Sequence, residues 1–130
     1  SYTFESGQSI ALEALHNGHG YSSARESAYF AQAMLTPGLM LGSAPPLLGR
    51  NYLHAVWQSN NMDERGFWRV MASHNLTDHS NELALYGEWV VANRVTAFIM
   101  AMTTHGSRHS EWGAGLLDNR VSLGVKIALP

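Results

Sequence analysis

The sequence predicts an all-β fold: an antiparallel up-and-down transmembrane β-barrel, or the C-terminal portion of one, with one short helix in a long outer loop. Three observations carry that expectation. Apolar and polar residues alternate with period two in one segment after another. In the clearest segments an aliphatic stripe stands opposite small and polar residues, as a wall between lipid and a polar lumen requires. Short and long connections broadly alternate, the asymmetry of barrels with short periplasmic turns and longer outer loops.

Composition narrows the classes. At 130 residues with 45% apolar content the chain suffices for one domain, and its apolar residues are spread thinly rather than in blocks. The most apolar window, Val90 to Met102, is interrupted by Asn93, Arg94 and Thr96, so no run of about 18 apolar residues forms a membrane-spanning helix. A closed sheet is the remaining route across a bilayer. The net charge of -2 and the scattered Arg residues exclude a nucleic-acid footprint, so no nucleic-acid partner is expected. Without cysteine there is no disulfide framework and no thiolate metal site.

The strands follow in order. After a stub at Tyr2-Thr3-Phe4 and a turn at Glu5-Ser6-Gly7, the segment Gln8 to His16 sets Ile10, Leu12 and Ala14 against Ser9, Ala11, Glu13 and Leu15. Residues 17–49 form a long loop with a short helix at Ser22 to Leu35, where Ala24, Ala28, Ala31, Met34 and Leu35 recur near helical spacing. That helix is expected to stop before Thr36-Pro37-Gly38, with Ser43-Ala44-Pro45-Pro46 as loop. It reads as a surface excursion, and a plug or lid at the barrel mouth is the alternative.

From Asn51 to Gln58, Leu53, Ala55 and Trp57 oppose Tyr52, His54, Val56 and Gln58; from Phe67 to Asn75, Trp68, Val70 and Ala72 oppose Arg69, Met71 and Ser73. Asn81 to Trp89 puts Leu83, Leu85 and Trp89 opposite Glu82, Ala84, Tyr86 and Glu88, with every charge on one side. Val95 to Thr103 alternates less cleanly and has a helical alternative, but its length and the nearby turn at Ala92-Asn93-Arg94 favour a strand. Arg120 to Leu129 is the sharpest segment: Val121, Leu123, Val125, Ile127 and Leu129 face one way, and Ser122, Gly124, Lys126 and Ala128 the other. Trp57, Trp68 and Trp89 lie near strand ends, where an aromatic girdle meets the membrane interface. Core tryptophans of a soluble β-sandwich binding module are the competing explanation.

The lumen-lining candidates are therefore Glu13, His54, Arg69, Glu82, Tyr86, Glu88 and Lys126. Acids outnumber bases among them, which implies a weak cation preference if a pore exists. His16, His19, His105 and His109 have spacings that would offer paired imidazoles to a metal if their loops converged. Solvated loop histidines are the simpler reading, and neither a metal nor a cofactor is expected. Ser73-His74 are neighbours on a strand and point to opposite faces, so they form no catalytic dyad, and the chain is not expected to be an enzyme.

The stretch Ser122-Leu123-Gly124-Val125-Lys126-Ile127-Ala128-Leu129 resembles the assembly signal of outer-membrane barrels: a polar residue, a glycine, then two apolar residues separated by one. The usual terminal aromatic is here Leu129, followed by Pro130. More broadly, Tyr2 to Gly7, Asn17 to Ser22 and Gly49 to Leu53 are similar to C-terminal regions of proteobacterial, porin-like outer-membrane proteins. The resemblance implies a Gram-negative outer membrane as location, the lipid bilayer and the barrel-assembly machinery as partners, and Ser122, Gly124, Ile127 and Leu129 as the assembly signal. It also implies that 17–49, 75–80 and 104–118 are external. Six full strands and a stub fall short of the eight of a small closed barrel, so 1–130 is expected to be one barrel unit completed by an upstream segment or another chain. A channel for small solutes is the function expected. A non-conducting structural or binding barrel, anchoring or docking with another envelope protein, is the alternative.

Overall fold

A computed structural model describes residues 1–35, 47–60, 65–114 and 118–128, with the side chain of Met34 excepted. Seven strands form one antiparallel sheet in the order of the sequence: β1 (Tyr2–Thr3), β2 (Ser9–His16), β3 (Asn51–Gln58), β4 (Gly66–Asn75), β5 (Asn81–Ala92), β6 (Val95–His105) and β7 (Asn119–Ile127). One helix, α1 (Ser23–Leu35), lies between β2 and β3. The fold is thus all-β and up-and-down, as the alternation implies. β1 and β7 do not pair, so the sheet is open rather than closed.

The segments read from alternation recur as strands, with ends displaced by a few residues. β5 runs three residues past Trp89, through a bulge between Val90 and Ala92, and turns into β6 at Asn93-Arg94. Arg94 adopts a left-handed φ of 64°, which closes this tight turn. Val95 to Thr103, for which a helix competes on propensity, is strand throughout, paired residue for residue with both β5 and β7.

Register assigns every side chain to a face. One face carries Leu12, Ala55, Ala72, Leu83 and Thr103 in one row, and Ile10, Trp57, Val70, Leu85, Ala101 and Val121 in the next. The opposite face carries Glu13, His54, Arg69, Glu82, Tyr86, Glu88 and Lys126. Exposure is inverted relative to a protein stabilised in water: along β5 the aliphatic positions are exposed and the polar-face positions part-buried. Leu123 is 76% exposed and Val121 68%.

The well-buried residues lie elsewhere. Phe30 and Ala33 of α1, Leu48, Tyr52, Asn75, Ser80 and Ser110 are buried together with Glu26, all near the end of the sheet where the long connections emerge. This cap is made of α1, residues 47–50, the turn 76–80 and the loop 106–114. Backbone bonds tie it together, from Asn17 to Arg50 and from Tyr21 to Leu48. At Gly49 a side chain would collide with the Asn75 amide and the Tyr52 hydroxyl, so only glycine admits this close approach.

The helix differs from the sequence reading in the face it buries. Ala24, Ala28, Ala31 and Leu35 are exposed, and Glu26, Phe30 and Ala33 point inward. A stripe of small residues and a larger, partly polar stripe compete on this helix. The larger one wins because it carries the aromatic ring and a carboxyl with a specific partner across the loops. The helix is docked by that face rather than lying free on the surface.

Candidate functional site

The polar face of the sheet gathers the residues that sequence alternation singles out. Glu13 pairs with His54, His54 with Ser73, Ser73 with Glu82 and Glu82 with Thr104, giving one polar row across five strands. The next row, Ala11, Val56, Met71, Ala84, Met102 and Arg120, is largely apolar. The third holds Ser9, Gln58, Arg69, Tyr86, Met100 and Ser122, and beyond it come Phe67, Glu88, Phe98 and Gly124. Lys126 follows on the same face, paired with Thr96.

These side chains satisfy one another. Lys126 Nζ donates to Glu88 Oε2 at 2.8 Å and to the Tyr86 hydroxyl at 3.0 Å, and lies 5.6 Å from the Phe98 ring centroid. The Tyr86 hydroxyl donates in turn to Glu88. Arg69 Nε donates to Gln58 Oε1 at 2.9 Å. His54 Nδ1 lies 2.9 Å from Ser73 Oγ, and its ring stacks 5.9 Å from that of Tyr52. Gly124 leaves room for the Phe98 ring, which lies where a side chain would begin. Met71, Met100, Met102, Tyr86, Arg120 and Ser122 line a shallow cleft of about 280 Å³ on this face.

One sequence expectation needs correction. Arg120 shares the face of Glu13, Glu82 and Glu88, so acids and bases are balanced there, and Glu88 is neutralised by Lys126. The net acidity behind a cation preference is therefore absent from the described residues of this face. One further step of the β7 alternation reaches Arg120, and that step was the missing signal. Ser73 and His74 do face opposite ways on β4, and the imidazole beside Ser73 is that of His54 on the adjacent strand, a contact that only register reveals. Among the described residues, neither Glu13 nor Glu82 hydrogen-bonds that imidazole.

The other face is an apolar band between two rims. Trp57, Trp68 and Trp89 mark one rim, with Trp57 and Trp68 in edge contact at 4.9 Å. His16, Asn51, His74, Asn81 and His105 mark the other, where His16 Nδ1 meets Asn51 Oδ1 at 2.7 Å and His74 Nδ1 meets Asn81 Oδ1 at 2.6 Å. At about 3.3 Å per residue the stretch from Asn81 to Trp89 covers about 26 Å along the strand. Between the rims, small Ala14, Ala55 and Ala72 floor a depression of about 700 Å³ walled by Leu12, Leu53 and Leu83.

His16, His19, His105 and His109 are exposed, and His16 is engaged by Asn51. Among the described residues no three His, Asp or Glu side chains group as a metal site would require. Of the assembly-signal residues, Ser122 and Gly124 lie on the polar face and Ile127 on the apolar one, whereas Leu129 falls outside the described residues.

The cap closes over the end of the polar face, where Tyr52 and Asn75 stand as paired residues. Glu111 is its hub. Its Oε1 accepts the Leu48 N–H at 3.0 Å, and its Oε2 accepts the Tyr52 hydroxyl at 2.6 Å and the Asn75 amide at 2.9 Å. Asp78 holds the hub by accepting the Glu111 N–H at 2.6 Å and the Ser80 hydroxyl at 2.6 Å. Asn75 also reaches Glu26 Oε1 of α1 at 3.4 Å. Burial, the nearby Asp78 and then Glu111 raise the Glu26 carboxyl to about 7, against a smaller lowering by the Asn75 amide. In the sequence Asp78 and Glu111 stand out only as neighbours of His79-Ser80 and His109-Ser110, and Glu26 not at all: nothing local distinguishes a buried loop carboxyl from a solvated one.

Comparison with protein-family models, curated proteins and solved structures finds no match to this chain.

Proposed function

We propose that the sheet is part of the wall of an outer-membrane β-barrel, with the aliphatic face toward lipid and the polar face toward a lumen that passes small solutes. The observation that carries this reading is the exposure along β2, β3 and β5, where the aliphatic-face positions are the more exposed and the polar-face positions the more covered. A band of this size left in water would be a strong aggregation surface. A lipid-facing band of about 25 Å flanked by interfacial residues is what a membrane barrel presents. The tryptophan row and the His/Asn row supply two such margins.

Closure requires further strands on the bare edges, from the same polypeptide or another chain, since an open edge is not tolerated in hydrocarbon. Ser122, Gly124 and Ile127 then serve as part of the strand recognised by the barrel-assembly machinery. A non-conducting barrel that anchors or docks another envelope protein is the second reading, favoured by the cap over the end of the polar face.

The test is reconstitution of the protein together with any chain that co-purifies with it. Heat-modifiable gel migration with stable, ohmic conductance steps in a planar bilayer supports the channel. A folded, heat-modifiable barrel without conductance leaves the anchoring role. A chain that stays monodisperse in detergent-free buffer returns the fold to a water-soluble β-sheet module.

A further inference from the structure

Glu26 is fully buried, and its second carboxyl oxygen, Oε2, has no hydrogen-bond partner among the described residues. Burying an ionised carboxylate without a partner is costly, and a neutral carboxyl avoids most of that cost. The neighbours sharpen the point. From the 76–80 turn comes Asp78, from the 106–114 loop Glu111, and each adds a negative charge. From β4 comes neutral Asn75, and from β3 Tyr52, whose hydroxyl is already committed to Glu111. Within α1 the buried Tyr29 hydroxyl has no partner among the described residues. From residues 47–50 comes Arg50, whose guanidinium donates to the Gly20 carbonyl. His54 lies beneath Tyr52 and is engaged by Ser73.

We propose that α1 is a protonation-latched lid, docked over the end of the polar face while the Glu26 carboxyl is neutral and released when it ionises beside Asp78 and Glu111. The docked state binds the proton more tightly than the released state, in which Glu26 regains an ordinary carboxyl pKa. Docking is therefore strongest in acid, weakens as pH rises through the interval between the ordinary value and about 7, and changes no further above it. Gating of a pore by this lid rests on the membrane-barrel reading; the docking equilibrium itself does not.

Hydrogen exchange of the α1 amides in the full chain, corrected for the intrinsic pH dependence of exchange, tests the latch. The expected result is a fall in protection of up to about a hundredfold between pH 5 and pH 7. Glu26→Gln, which is always neutral, is expected to stay protected at pH 8 with no such slope. A flat wild-type profile overturns the proposal. So does a Glu26→Gln chain that retains the wild-type slope, since His54 or another group would then carry it. If Glu26→Gln fails to dock even at pH 5, Asp78→Asn decides: the latch requires a smaller fall than wild type, and an unchanged fall overturns it. Because exchange reads the lid whether or not a pore exists, its outcome is separate from that of the bilayer recording.

Discussion

The sheet wall and the cap are held together by opposite means. The wall has its backbone paired from β2 through to β7, yet its aliphatic face meets no other layer among the described residues, and its stability depends on what surrounds it. The cap is small, and it contains the well-buried hydrophobic residues Phe30, Ala33, Leu48 and Tyr52, interleaved with a carboxylate network. One region has its pairing inside and its solvent problem outside; the other resolves its own burial and carries an internal electrostatic strain. A membrane would serve the first without affecting the second.

That contrast breaks most visibly on the apolar band. Val121 and Ser122 are adjacent on β7 and face opposite ways. Val121→Arg is expected to cost about 2–4 kcal/mol when the protein is refolded into bilayers, the depth-dependent penalty for a cation on a lipid face. Ser122→Arg on the polar face should cost far less. Equal, small effects at both positions would place the band in water and undo the membrane reading.

The cap is broken next, and separately. Glu111→Ala leaves the Leu48 N–H, the Tyr52 hydroxyl and the Asn75 amide without their acceptor, a loss of about 2–4 kcal/mol in local cap stability. Hydrogen exchange should report loosening of 47–50 and 106–114 while the β4–β6 amides keep their protection. Tyr52→Phe is the gentler version. It removes the hydroxyl that accepts the Gly49 N–H and donates to Glu111, for about 1–2 kcal/mol by the same measurement. Loss of strand protection in either variant would mean that the two regions form one cooperative unit.

The two regions also differ in how far the sequence discloses them. Wall strands follow a period of two, so each residue's face can be read locally, and Glu13, His54, Arg69, Glu82, Tyr86, Glu88 and Lys126 share a face for that reason. Register is not local. The Ser73–His54 contact and the Lys126–Glu88–Tyr86 cluster depend on which residues stand opposite across the ladder. The cap is less legible still, because Glu26, Asn75 and Glu111 come from three separate loops or element ends and have no periodicity to mark them. Even the face of α1 misleads, since its alanines look like a core stripe and lie in the open.

The smallest effect belongs to the ion pair on the polar face. Lys126 and Glu88 are partly exposed, at 57% and 31% of their side chains, so solvent screens the pair and Glu88→Gln should change stability little. Its value is in testing the polar face as a pore lining. With Glu13, Glu82 and Glu88 set against Arg69, Arg120 and Lys126, the wild-type wall is balanced, and a pore lined by it should discriminate weakly between small cations and anions. Removing the Glu88 charge frees Lys126 and should move the reversal potential in a salt gradient toward anions. Arg120→Gln should move it the other way by a similar amount. If both variants leave the reversal potential unchanged while conductance persists, ions pass along another surface, and the polar face of this sheet is a filled interior held together by its own pairs.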